Sequence, residues 1–348
     1  MDRIRQPRPR EMHALALYLP ILGSLSVPQL SYSVEQPENN KTFYTFLGGG
    51  KLSLPVDIAV AGSTAYVAYD WDKLGIYDCS DPMKLRQLGV YKARTIGGGA
   101  PTNVDRVVVK GHTAFLLTSW GGGSILQLVD ISNSRSPKLI SQYDKFNGTA
   151  RDLVVVGSRV YVSTGFGIQI LDASDQRALT TLRTYNDALS FGGLAVTDRY
   201  IFAATRSVPY PGVTLLVIDP EQLVCIAALN LEMEASATPG GVAIRGNRAF
   251  IAAGSRGVYE IDISNPNAPV RDRRLVIAGD AKWVIPWDDW LVVPGDIRIS
   301  FFDPQKDTAY FLEGSGRINA AAISGDRVFF LDDRKGIVIV RLTVKPKQ

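Results

Sequence analysis

The chain has 348 residues, of which 46% are hydrophobic and 21% charged, with 32 Gly, 19 Pro and a formal net charge of +4. That length buries a sizeable core and fits either two ordinary domains or one long repeat domain. Arg3, Arg5, Arg8 and Arg10, set against Asp2 and Glu11, supply two of the net charges. The rest is nearly balanced, which excludes the broad basic footprint of a nucleic-acid binder.

Residues 1–33 read as a leader. Its arginines precede an apolar stretch, residues 14–25 (ALALYLPILGSL), and small residues follow, including Ser26 and Ser31. This is the order of a secretory signal. Pro20 and Gly23 interrupt the stretch, which is too short for an integral membrane span. The competing reading is an arm lying on the domain, or a start at Met12. Residues 34–348 are expected to form a single domain. Its first strand-like piece is residues 41–47 (KTFYTFL), with period-two alternation.

A unit then recurs: apolar run, turn, aromatic-containing run, loop, apolar run ending in Asp, turn, final strand. The third run and its Asp recur as LGIYDCSDP (74–82), LQLVDISNS (126–134), IQILDASDQ (168–176), LLVIDPEQ (215–222), VYEIDISNP (258–266) and IRISFFDPQ (297–305). A seventh, IVIVRL (337–342), has Arg341 where the Asp belongs. The acids stand at 78, 130, 172, 219, 262 and 303, in steps of 52, 42, 47, 43 and 41. Four strands per roughly 40–45 residues is the mark of propeller blades. Each Asp has a local role, accepting N–H bonds from the residues that follow it in an Asx-type turn.

First strands are expected at 57–60, 106–109, 152–156, 194–196, 242–244, 283–285 and 321–323, and their apolar character predicts burial on both faces. Outer strands follow in six units, RRLVI (273–277) being that of the fifth. The seventh unit has none, so residues 41–47 are expected beside 337–342. The expected fold is all-β, a seven-bladed β-propeller whose last blade is closed by the N-terminal strand, which removes an open edge.

The runs LQLVDIS, LLVID and VYEIDISNP resemble the repeat of the LVIVD-repeat β-propeller family, over most of the chain from about residue 55 onward. The resemblance implies the propeller fold and a lean towards exported or surface proteins. It carries over no activity and no catalytic residues. FFDP and Arg341 depart from the pattern.

Propeller topology sorts the loops by face. The face on which first strands begin, here the top face, collects the second-to-third-strand loops and the links between units. It carries the glycine clusters 97–99, 121–123, 192–193 and 240–241, and the aromatics Trp71, Trp120, Phe166 and Tyr210 in equivalent loops of four units. Exposed rings beside permissive backbone suit a binding surface; the plain alternative is that they cap the blade ends. Counting back five from each first turn places Asp57, Arg106, Asp152, Gly193, Gly241, Lys282 and Ala320 around the channel mouth. Asp57, Arg106, Asp152 and Lys282 make a mixed polar ring. It either holds water or a small polar ligand, or neutralises itself. Arg106 and Lys282 compete with any cation for the carboxylates, so no metal site is expected.

The only histidines are His13 and His112, and His112 sits in a hairpin on the bottom face. That argues against a Ser-His-Asp or Cys-His centre. HExxH, P-loop and CxxC patterns are absent, and Cys79 and Cys225 are expected free. No cofactor is expected. The leading expectation is a non-enzymatic binding module, exported or at the envelope, whose top face takes a protein or a surface polymer. The alternatives are an intracellular scaffold subunit and a propeller hydrolase or lactonase acting at the channel mouth.

Overall fold

A computed structural model describes residues 44–342, except 53, 70–71, 95–102, 121–122, 188, 207–211, 233–238, 278 and 307. The expectations for the leader, for Trp71 and Tyr210, and for residues 41–43 lie outside the described residues. Within them the chain forms seven four-stranded antiparallel sheets, a seven-bladed β-propeller. Six sheets take consecutive strands, while the seventh runs in the order closing strand, Gly336–Leu342, Arg327–Asp332, Ile318–Ser324.

The inner strands are Pro55–Ala61, Asn103–Lys110, Ala150–Val156, Ser190–Val196, Val242–Arg245, Ile285–Trp287 and Ile318–Ser324. They are less buried than their apolar sequences suggest. Ala59, Val60, Val108, Val155 and Ile323 are only half-buried, although both faces pack as expected: Ala59 meets the cluster shared with blade two, and Val60 the cluster shared with blade seven. Full burial falls instead on second and third strands such as Thr64–Tyr69 and Gly167–Asp172. Two strands are displaced from expectation. The sixth inner strand begins at Ile285, not Trp283, and Pro286 within it has no N–H to donate. The fifth outer strand is Val270–Leu275.

No single core exists. The buried apolar residues fall into seven clusters, and each bridges two neighbouring blades. The cluster joining blades seven and one sets Phe329, Leu331, Ile337 and Ile339 against Ile58, Ala65, Val67 and Tyr77. Buried glutamines add polar clamps between blades. Tyr91 donates its hydroxyl to Gln127 Oε1 at 2.7 Å, and Gln127 Nε2 donates to the Arg94 carbonyl at 2.7 Å. Gln169 repeats this one blade later, donating to the Lys145 carbonyl at 3.1 Å and to the Tyr143 hydroxyl at 3.3 Å.

The repeated acids build their turns as expected, with one refinement. In blades one, two, three and five the N–H of the second residue after the Asp donates to its carboxylate: Ser80, Ser132, Ser174 and Ser264, at 2.8–2.9 Å. The residue in between instead donates to the first hairpin, as Cys79 does to the Ser63 carbonyl at 2.7 Å. A second Asx turn follows at once on Asp81, Asn133, Asp175 and Asn265. Blades four and six carry only the first turn, on Asp219 and Asp303. In blade seven Arg341, standing in the Asp place, pairs with Asp326 at 2.7 Å. Both cysteines are free; Cys79 is buried, which pushes its thiol up to about 11.

These turns set an acid response. Hydrogen bonds from the Ser80 side chain and backbone, then from Arg86, hold Asp78 down at about 2. The corresponding serines lower Asp130, Asp172 and Asp262. A folded pKa below the unfolded value of about 3.9 gives stability that is present above that pH and lost as pH falls towards about 2. The urea midpoint is expected to drop steeply across that window. Asn at all four positions keeps the acceptor and should flatten the drop; an equally steep drop in that variant rejects this account.

Among the described residues the closing strand is Tyr44–Gly50, and it runs three residues past the expected end at Leu47. It runs antiparallel to Gly336–Leu342, with Phe46 opposite Val340, a bulge, then Gly49 opposite Val338 and Gly50 opposite Ile337. The ring is therefore shut by both ends of the domain in one blade.

The channel mouth as candidate functional site

Inner strands of blades one to four and seven each begin with a bulge, as between Pro55 and Asp57, Val104 and Arg106, and Ala150 and Asp152. A bulge re-aims the side chain next to it. Here it brings Asp57, Arg106 and Asp152 from three blades into one network. Arg106 Nε donates to Asp152 Oδ1 at 3.0 Å and its Nη1 to Asp57 Oδ2 at 3.2 Å. Each carboxylate also reaches the next blade's backbone: Val107 N–H donates to Asp57 at 2.9 Å and Leu194 N–H to Asp152 at 3.0 Å. The two acids are 4% and 3% exposed, so their polar partners decide whether the arrangement is tolerable.

Electrostatics follow from that burial. Desolvation pushes the Asp57 carboxyl above its ordinary value, opposed by Arg106 and by the Val107 and Ile58 N–H groups. Desolvation also works against the charge of Arg106, but Asp57 and Asp152 outweigh it and hold the guanidinium firmly protonated. Arg106 further lies 3.9 Å over the ring of Trp283, a stacked cation–π contact.

Blades four to six solve the same junction without side chains. Gly193 N–H donates to the Gly240 carbonyl at 2.9 Å and Gly241 N–H to the Lys282 carbonyl at 2.8 Å. A Cβ on Gly193 would stand 2.5 Å from the Gly240 oxygen, and one on Gly241 2.4 Å from the Trp283 ring. These glycines serve close approach of neighbouring blades rather than loose loops beside aromatic rings.

Lys282 stands apart from the triad and pairs with Asp296 at 3.4 Å. It nevertheless lines the same cavity of about 360 Å³ as Asp57, Arg106, Asp105, Trp283 and Asn319. Leu54 on its rim has a positive φ of 48° and is 49% exposed. Of the four aromatics, Phe166 is 56% exposed, in the second-to-third-strand turn of blade three. Trp120 ends a second strand, Thr113–Trp120; its side chain, like Trp71 and Tyr210, is outside the described residues. By topology the exposed Val276 and Ile297 also belong to the top face. Trp283, Asp105 and Asn319 escaped the sequence reading. Trp283 read as core strand, and no sequence pattern announces a bulge.

Among the described residues no group of His, Cys, Asp and Glu is arranged to hold a metal ion. Nor does any described helix have the length and apolarity to cross a membrane.

The chain matches the LVIVD repeat at residues 56–92, 102–145, 147–187 and 239–273. These are blades one, two, three and five, the four with paired Asx turns. No curated protein matches the chain in sequence. In fold it is similar to the Myceliophteria thermophila Cps50 (Swd1) β-propeller domain, at 11% identity over 86% of this chain and all of that domain, TM-score 0.67. It is similar to the Neurospora crassa Pan2 WD40 domain at 13% identity, over 87% of this chain and 97% of that one, TM-score 0.61. It also resembles Chaetomium thermophilum Raptor at 13% identity and TM-score 0.67, covering 88% of this chain but only 29% of Raptor. At such identities the likeness is one of fold alone. The chain is thus a seven-bladed β-propeller that carries LVIVD repeats in four of its blades.

Proposed function

We propose that this propeller is a non-enzymatic binding module, exported or held at the cell envelope, whose top face takes a protein or a surface polymer. The observation that carries the reading is the pairing of a charged channel-mouth cavity with exposed Leu54, Phe166, Val276 and Ile297 on the same face. A polar centre with apolar contact points around it suits a partner larger than a metabolite. A hydrolytic role has less support, because Asp57 and Asp152 are each engaged by Arg106 and a backbone N–H. The envelope assignment rests on the order of charges, apolar stretch and small residues in 1–33, and on the family's lean towards surface proteins.

The test is capture from the native source with wild type and with a Phe166→Ser, Ile297→Ser variant of unchanged thermal midpoint. Loss of a specific co-purifying partner in the variant is the expected result, and undiminished capture removes the top face from the proposal. N-terminal sequencing of the native protein should find a start between about residues 26 and 34; an intact Met1 favours the intracellular scaffold.

A further inference from the structure

Where the closing strand meets blade seven, a second cavity of about 310 Å³ lies apart from the channel mouth. Lys51, Arg334 and Lys335 line it, together with Phe46 and the backbone of Gly49 and Gly50. Lys51 follows the closing strand, and the other two form the turn between Arg327–Asp332 and Gly336–Leu342. Only ring closure assembles them, through the pairing of Gly50 with Ile337.

Three cations crowd one small concavity, and among the described residues none of them is in an ion pair. The acids beside them are committed elsewhere. Asp332, fully buried, accepts N–H bonds from Arg334 and Lys335 at 2.9 Å each, and from Ser315 and Gly316 at 2.6 and 3.2 Å. Those bonds outweigh burial and keep it ionised. Asp333 accepts the Arg317 N–H at 2.8 Å. The turn is thus locked from below and presents Arg334 and Lys335 in a fixed place. Phe46, 56% exposed, supplies an apolar wall.

We propose that this seam cavity binds a phosphate monoester, with its oxygens on Lys51, Arg334 and Lys335 and its apolar body against Phe46. A phosphate carries the two charges and three acceptor oxygens that a planar guanidinium and two ammoniums match. Gly49 and Gly50 add no side chain to the cavity, and a Cβ on Gly49 would meet the Ile337 oxygen at 2.1 Å.

The full chain is titrated calorimetrically with phenyl phosphate and with inorganic phosphate, and sedimented with phosphatidylcholine vesicles with and without phosphatidic acid. Phenyl phosphate should bind about tenfold more tightly than inorganic phosphate, a preference Phe46→Ser should erase. Arg334→Gln with Lys335→Gln should weaken binding by about tenfold or more at an unchanged thermal midpoint. Sedimentation with phosphatidic acid and no response to phenyl phosphate identifies the ester as a lipid headgroup, and the reverse identifies a soluble one. Failure to bind in every arm, or equal binding by the double variant, overturns the proposal. Neither result touches the channel mouth.

Discussion

Replacing Arg106 with methionine should lower the stability of the propeller by about 3–5 kcal/mol, the usual penalty for removing one partner of a buried ion network. The methionine fills most of the space over Trp283, so the loss is electrostatic rather than a cavity. It leaves Asp57 and Asp152, both nearly inaccessible, without the guanidinium that bridges them. Arg106→Lys should recover only part, since one ammonium cannot reproduce contacts to two carboxylates and a flat stack on Trp283. The sign of the pH effect is fixed. With the cation gone, the Asp57 carboxyl, already raised by burial, loses its main charged support and rises further, so the folded variant is best supported below about pH 4 and weakens as pH rises through that raised value. The gap between variant and wild type should therefore narrow in mild acid. Adding Asp57→Asn and Asp152→Asn to Arg106→Met removes the unpaired charges and should return most of the loss. Urea midpoints at pH 7 and pH 4.5 decide it. A deficit below about 1 kcal/mol at neutral pH would mean the triad is solvated and interchangeable.

The contrast between the triad and the rest of the ring shows what sequence patterning can reach. Blade count, the role of the repeated Asp and the identity of the closing segment are local or periodic signals, and residues such as Asp78, Asp130 and Asp172 announce them by recurrence. The stagger of the closing strand was less legible. The glycines at 48–50 look like loop, yet Gly49 and Gly50 pair in register with Val338 and Ile337, and at Gly49 only a glycine fits so close to the Ile337 carbonyl. The polar ring was visible as a set of equivalent positions, since counting back from the hairpin turns brought Asp57, Arg106 and Asp152 to one level. Its wiring was not, because it depends on a bulge in each strand and on the next blade's N–H groups. Trp283 was hidden for a related reason. The sixth inner strand is only three residues long and starts later than its apolar run, so a side chain that reads as core stands at the rim and stacks on Arg106.

Deleting the chain through Gly50 should abolish the folded monomer at 37 °C, although the deletion removes a strand that supplies little of the core by itself. The reason is topological. Val338, Ile339 and Val340 are at most 5% exposed, and without the closing strand their blade ends on an unpaired, apolar edge. The cluster that joins blades seven and one loses its lateral support at the same moment. In a closed ring every blade is held from two sides, whereas an opened ring lets unfolding start at the seam and pass from interface to interface. A synthetic peptide of residues 41–52 should restore a monomer in trans, because strand pairing needs no covalent link. A milder version keeps the chain whole: Gly49→Val drives its side chain into the Ile337 carbonyl. It should lower stability by about 3 kcal/mol, the upper range for overpacking, since the obstacle is backbone rather than a flexible side chain. Size-exclusion chromatography with urea unfolding reads both. A truncated chain that stays monomeric and unfolds at the wild-type midpoint would show that the wheel is held by its interblade clusters alone.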